Sequence, residues 1–150
     1  DVSESDARWK PPSGAWSILE VVCHLGDEEE LDFSLRVRLT LQDASQPWPP
    51  IDPEARAVER RYNEGQLSDA VRRFVGLRAH SIQWLSQLSA PDWTATYEHP
   101  KFGPFRAGDI LAAWVAHDYL HLRQLSKRLF EITQRDAGPF STRYAGDWTA

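Results

Sequence analysis

The chain has 150 residues, of which 41% are hydrophobic and 26% are charged, so it fits one globular domain over residues 1–150 and is not mainly disordered. Its net charge of -5 disfavours nucleic acid as a partner, because an acidic protein repels the phosphate backbone. Its uninterrupted apolar stretches fall far short of the roughly 18 residues that cross a membrane.

The predicted elements begin after a polar lead-in, residues 1–15, in which two prolines and a glycine disfavour a regular element. Ser17 and Glu20 have the spacing of a capping box, so the first long helix is expected to begin there and to run to about Leu41. Apolar residues of this helix recur at three- and four-residue steps, which predicts one core-facing side. They are Ile18, Val21, Val22, Leu25, Leu31, Leu35 and Leu39.

Four prolines within residues 46–53 predict a loop, because proline neither continues a helix nor pairs in a central strand. A short helix is expected near residues 53–62, a second long helix over 68–89, and a third over 107–132. Residues 92–105 contain two further prolines and a glycine, and they predict a long crossover with little regular structure.

The pattern as a whole predicts an all-α protein, since no alternating apolar and polar run is long enough to build a sheet. Three long helices and a long crossover indicate an up-down four-helix bundle with one helix unaccounted for. The chain begins at Asp1 and contains no methionine, so residues upstream are expected to supply that N-terminal helix. A homodimer is expected, because a second copy would cover the apolar face of an incomplete bundle.

Three histidines carry the main functional prediction. His117 and His121 are four residues apart, which places both imidazoles on one face of a helix, and His24 lies at the edge of the apolar face of the first long helix. Burying three imidazoles without an ion would leave ring nitrogens unsatisfied, at about 1 to 3 kcal/mol each. The sequence therefore predicts one divalent metal ion, Zn, Ni, Fe or Cu, in an open three-histidine site.

Two carboxylates follow His24 closely. Asp27 and Glu28 lie three and four residues after it, within reach of the same face, and either is a candidate general base or a hydrogen-bond partner of a ligand. The alternative is that both face solvent. Asp118 resembles the glutamate of a zinc-protease motif, but that motif needs a third ligand downstream, which disfavours a peptidase.

The remaining histidines and the cysteine have simpler interpretations. His80 and His99 lack partners at ligand spacing and are read as surface or crossover residues. Cys23 points about 100° away from His24 around the helix, which favours a small apolar role over catalysis. A single cysteine and the lack of a signal-like segment predict a reducing, cytoplasmic location.

The segments 16–29 and 117–125 together resemble the DinB/YfiT-like metal-binding superfamily, and residues 98–104 are similar to that family's lead into its last helix. The resemblance spans about residues 16–130. It implies an up-down four-helix bundle with a metal site, in which the three histidines named above match the family's ligands position by position.

Members of that family include thiol-dependent transferases and isomerases that use bacillithiol, mycothiol or glutathione. The resemblance thus implies a metal-dependent enzyme that transfers a low-molecular-weight thiol, bound as thiolate, to a small-molecule electrophile. Two alternatives stay open. One is a hydrolase that uses a metal-bound water with Asp27 or Glu28 as base, and the other is a non-catalytic metal- or ligand-binding module.

Overall fold

The computed structural model describes residues 2–149 as a helical chain with one small hairpin. The elements are α1 (Glu4–Arg8), α2 (Ile18–Asp27), α3 (Phe33–Asp43), α4 (Pro53–Glu59), α5 (Leu67–Ser86), β1 (Thr96–His99), β2 (Gly103–Arg106) and α6 (Ala107–Asp136). A π-helical segment, Glu28–Asp32, joins α2 to α3, and single 3-10 turns lie at Tyr62–Glu64 and Arg143–Ala145. No helix within residues 2–149 is both long and apolar enough to cross a membrane.

The start of α2 confirms the predicted capping box. The Ser17 hydroxyl accepts the backbone N–H of Glu20 at 3.1 Å, and the Glu20 carboxylate accepts the backbone N–H of Ser17 at 2.8 Å. Two of the backbone donors at the helix start are thereby satisfied. The apolar face that follows, including Ile18, Val21 and Leu25, is buried as the periodicity predicted.

The π-helical segment changes which residues of the first long helix face inward. A π turn inserts one residue into the helix and rotates everything that follows. Val37 and Thr40 are therefore fully buried, whereas the predicted core residues Leu35 and Leu39 are only half-buried. The segment also buries three carboxylates, which are Glu28, Glu29 and Asp32.

Residues 92–105 were predicted to form a crossover with little regular structure, but two short paired strands lie there. An antiparallel hairpin pairs Tyr97 with Phe105, and Gly103 adopts the positive φ of 80° that glycine tolerates near a turn. The hairpin is stabilised by packing: Trp48 stacks on Tyr97 at 4.2 Å and on Phe105 at 5.8 Å between ring centroids. The strands are too short to be recognised by alternation alone.

The lead-in also contains more structure than predicted, because α1 forms one short helix whose N-terminus is capped by the Ser3 hydroxyl. The centre of the core is a cluster of Val37, Ile110 and Trp114, formed by α3 and α6. By contrast, Val71 and Ile82, apolar residues of α5, are exposed.

Candidate metal centre

The three predicted histidines meet in the structure. His24 comes from α2, and His117 and His121 come from successive turns of α6. One ring nitrogen from each lies within 4.8 Å of the other two. The ring centroids of His24 are 5.5 Å from His117 and 4.7 Å from His121. Side chains as far as 97 residues apart in sequence thus form one cluster that α2 and α6 hold in place.

The hydrogen bonds of His121 indicate which of its nitrogens is free for an ion. Its Nδ1 lies 2.8 Å from Oε1 of Gln124, an oxygen that only accepts, so Nδ1 carries the proton. The lone pair of Nε2 then faces Nε2 of His117 at 3.0 Å. Two imidazoles that each bind an ion at about 2.0 to 2.1 Å place their nitrogens about 3.0 to 3.4 Å apart. The spacing therefore fits a shared divalent ion.

Burial keeps these imidazoles neutral, the form that binds metal. His24 is only 5% exposed, and its desolvation, followed by the neighbouring histidines, lowers the pKa of its ring to about 3. The same desolvation lowers the pKa of His117 to about 4 and also lowers the pKa of His121. Nδ1 of His117 is buried without a hydrogen-bond partner within the described residues. The donor set suits Zn, Ni or Fe.

Glu28 lies beside this cluster. Its Oε1 is 3.4 Å from Nδ1 of His24, and both side chains are 6% exposed. Burial, reinforced by the adjacent carboxyl group of Asp32, raises the pKa of Glu28 to about 8. A carboxyl group in this environment exchanges protons near neutral pH more readily than an exposed one.

Asp27 makes its contacts elsewhere, with groups from the far side of α2. Its carboxylate accepts hydrogen bonds from Arg60 at 2.8 Å and from Tyr62 at 2.5 Å, and it pairs with Arg73 at 2.8 Å. No ion pair or hydrogen bond among residues 2–149 joins Asp27 to the histidines. The structure thus brings Glu28, and not Asp27, to the predicted site.

A polar cavity of about 520 Å³ opens onto the cluster, and we call it the histidine cavity. Trp16 forms one wall, with its ring 5.0 Å from that of His24. Besides the three histidines, the lining includes Lys10, Trp16, Glu28, Asp32, Glu54 and Gln124. The cluster is thus accessible to a small molecule from one side.

A partly buried network of ion pairs and hydrogen bonds joins α5 and α6 to the π-helical segment next to the histidines. Glu29, 1% exposed, accepts from Arg78, from Ser81 at 2.8 Å and from the Trp114 indole at 3.0 Å. Arg78 also donates to both carboxylate oxygens of Asp118, at 2.7 and 3.0 Å. Asp118, next to His117 in sequence, therefore positions the helix and is not placed as a base.

The structure also shows the surroundings of the other two histidines and of the cysteine. His80 is exposed, and its ring nitrogen contacts the backbone oxygen of Gly76. His99 is not a plain crossover residue, because it lines a second cavity together with Trp48 and Phe105. Cys23 packs near the Tyr62 carbonyl, and burial raises the pKa of its thiol to about 11. Gln124 was missed, although its three-residue spacing from His121 was a usable signal.

Comparisons with known proteins agree with this fold. The model of the DinB superfamily matches residues 1–125. Among solved structures, YfiT from Bacillus subtilis, described as a probable metal-dependent hydrolase with an unusual four-helix bundle topology, matches with a TM-score of 0.76 and 18% identity. The match covers 87% of this chain and 74% of that one. No curated protein matches. The chain belongs to the DinB superfamily and has a four-helix-bundle fold of the YfiT kind.

Proposed function

We propose that the chain is a metal-dependent enzyme in which His24, His117 and His121 hold one divalent ion. The observation that carries the proposal is the convergence of three neutral imidazoles, one buried and two half-buried, on one point beside an open cavity. Three protein ligands leave further positions free, as catalytic sites do and closed structural sites do not. A bound ion would supply Lewis acidity, which polarises a substrate oxygen and lowers the pKa of a bound water or thiol.

Hydrolysis is the reaction that the placement of Glu28 supports best. Its carboxyl group lies at the wall of the histidine cavity, 3.4 Å from a ring nitrogen of His24, where it can take a proton from an attacking nucleophile and return it to a leaving group. Gln124 accepts from Nδ1 of His121 and so fixes that ring's tautomer. YfiT, described as a probable metal-dependent hydrolase, is a relative with this fold.

Thiol transfer is the second candidate, and a separate observation favours it. The histidine cavity shares Asp32 with a second, larger cavity whose walls include Trp48 and Tyr97, so the protein has room for two molecules side by side. A transferase needs such an arrangement for a low-molecular-weight thiol and an electrophile, whereas a hydrolase needs only one organic substrate. Bacillithiol, mycothiol and glutathione are the cosubstrates to test.

Thiol dependence of turnover separates the two reactions. Zn-, Ni- or Fe-loaded protein is incubated with a panel of aryl esters, amides and alkyl halides, with and without each thiol. If the protein is a hydrolase, turnover occurs without thiol and falls at least tenfold in Glu28→Gln. The control variant Glu30→Gln, two residues away and exposed, retains the turnover. Turnover only with a thiol indicates the transferase, and no turnover in either arm contradicts the enzyme proposal.

The metal-enzyme proposal also includes a cytoplasmic location and a homodimer. Exposed apolar residues recur along one stripe of α5, at Val71, Val75 and Ile82, and along one stripe of α6, at Val115 and Leu122. A second copy would remove this surface from water. Light scattering coupled to size-exclusion chromatography is expected to give twice the chain mass for the wild type and the chain mass for Val75→Lys.

A further inference from the structure

A second cavity, of about 640 Å³, lies between α3, the proline-rich loop after it and the hairpin. Its walls carry five aromatic rings, those of Phe33, Trp48, Tyr97, Phe102 and Phe105. We call it the aromatic cavity. Small-molecule sites are clefts of roughly 300 to 1,000 Å³ with mainly apolar walls and a few polar groups, so this cavity has the size and lining of a ligand site.

The aromatic cavity adjoins the metal centre. Asp32 lines both cavities, and the ring of Phe33, in the wall of the aromatic cavity, lies 5.0 Å from that of His117. On α6, Ile110 and Ala113 of the same wall precede His117 by about two turns and one turn. A molecule that fills the aromatic cavity is thereby placed next to the histidines.

The charges in the wall are already compensated. Asp32 is paired with Arg36 at 2.5 Å, and the Arg36 guanidinium also lies over the Trp48 ring at 4.9 Å from its centroid. Asp109 is paired with Arg106 at 2.8 Å. A charged ligand would lose its hydration here without gaining a free counter-charge, which favours an uncharged one.

His99 provides the polar contact. Its Nδ1 accepts the backbone N–H groups of Lys101 at 3.1 Å and Phe102 at 3.2 Å, so the ring proton is on Nε2. The imidazole packs among the rings of Trp48 and Phe102 in the cavity wall. It therefore offers one N–H donor to an oxygen of the ligand.

We propose that the aromatic cavity binds an uncharged aromatic molecule that carries an acceptor oxygen, such as an aryl ketone or ester. Its rings pack against the aromatic wall, its acceptor oxygen receives the His99 Nε2–H, and its reacting group lies toward Asp32. That this molecule is the substrate rests on the proposed metal-dependent function, whereas the binding itself does not.

Calorimetric titration of the full chain with 2-acetylnaphthalene tests the binding. The wild type is expected to bind one molecule. Ala113→Phe places a large ring in the cavity and is expected to weaken binding at least tenfold, while Ala112→Phe, at an equally exposed neighbour outside the lining, leaves it unchanged. His99→Phe keeps an aromatic ring at this position but removes the N–H donor. It should weaken binding of the ketone about three- to tenfold and leave the binding of naphthalene, which has no acceptor oxygen, unchanged. Absence of binding, or equal binding by all variants, overturns the proposal.

Proximity to the histidines is tested with Co²⁺ as a paramagnetic probe. Ring protons of bound 2-acetylnaphthalene are expected to relax faster in Co²⁺-loaded protein than in Zn²⁺-loaded protein. The visible absorption of Co²⁺ shows whether the ion is bound. If it is bound and the ligand protons relax at equal rates in the two proteins, the assignment of the cavity to the metal site is overturned. If Co²⁺ is not bound while the ketone still binds, the metal-enzyme proposal fails and the aromatic site stands.

Discussion

Asp27 and Glu28 are neighbours in sequence and equal candidates by spacing, yet they occupy opposite environments. Asp27 is surrounded by cations and a phenol, which stabilise its charge: Arg60, Arg73 and Tyr62 all contact it. Glu28 faces an imidazole and a second carboxyl group instead, and the pKa of its side chain is raised to about 8. Consecutive helix residues differ by about 100° in direction, and that is enough to separate a carboxylate held in ion pairs from a carboxyl group with a raised pKa.

The comparison shows that the desolvation of the Asp27 carboxylate is offset by ion pairs, whereas that of the Glu28 carboxyl group is not. A buried carboxylate with paired donors contributes to stability or is neutral, whereas one without them lowers stability and is retained at functional sites. We therefore expect changes at Asp27 to alter the free energy of unfolding, and changes at Glu28 to alter chemistry and pH dependence.

The largest expected effect is on stability. Asp27→Asn removes the charge that three arginine side chains face, and the free energy of unfolding should fall by about 1 to 3 kcal/mol, less than for a fully buried pair because the arginines are partly exposed. Metal affinity should not change. The isosteric Glu28→Gln serves as the matched variant, and near pH 5, where the Glu28 carboxyl group is still largely protonated, it should change stability by less than about 1 kcal/mol. Urea titrations measure both, and a reversed order would contradict the comparison.

The next effect is a pH dependence that belongs to Glu28. In the metal-free protein its folded-state pKa, about 8, lies above the ordinary value of 4.5, so the folded state holds a proton that the unfolded chain releases. Stability contributed by this group is therefore lost as pH rises from about 4.5 to about 8.

Glu28→Gln removes this loss. The difference in unfolding free energy between the variant and the wild type should grow with pH across that window, by up to about 1.4 kcal/mol for each pH unit. Urea titrations in the presence of a chelator provide the measurement. A difference that stays constant with pH would show that Glu28 is not in the environment described.

A smaller effect is expected at Gln124, which accepts from Nδ1 of His121. Gln124→Leu leaves that nitrogen without its acceptor and should weaken Zn²⁺ binding about tenfold, because groups that orient a ligand affect metal affinity by this amount or more. Gln124→Glu retains an acceptor and should retain affinity. Competition with a chromophoric chelator measures both variants, and equal losses in the two would contradict the orienting role.

The sequence predicted much of this fold because its signals are local. The capping box at Ser17, the long α6 and the four-residue spacing of His117 and His121 each follow from contacts within one helix. The hairpin was missed because its strands are short and depend on packing against Trp48, a distant residue. The register after Asp32 was missed because a π turn leaves no simple periodic signal.

Asp27 and Glu28 were not separable in sequence for the same reason. Their difference depends on Arg60 and Arg73, which α4 and α5 bring to one side of α2 from more than thirty residues away. The aromatic cavity likewise combines the proline-rich loop with the hairpin. Tertiary contacts of this kind determine which groups surround a side chain, while the sequence pattern predicts only the face of the helix on which the side chain lies.

The most direct test of the central claim is the metal content of protein purified without an affinity tag. Elemental analysis is expected to find about one divalent ion per wild-type chain, a stoichiometry retained in His80→Ala and lost in His117→Ala. Circular dichroism establishes that both variants remain folded. Wild-type protein that binds no Zn, Ni or Fe after dialysis against each metal, or a His117→Ala variant that still binds one ion, would contradict the claim.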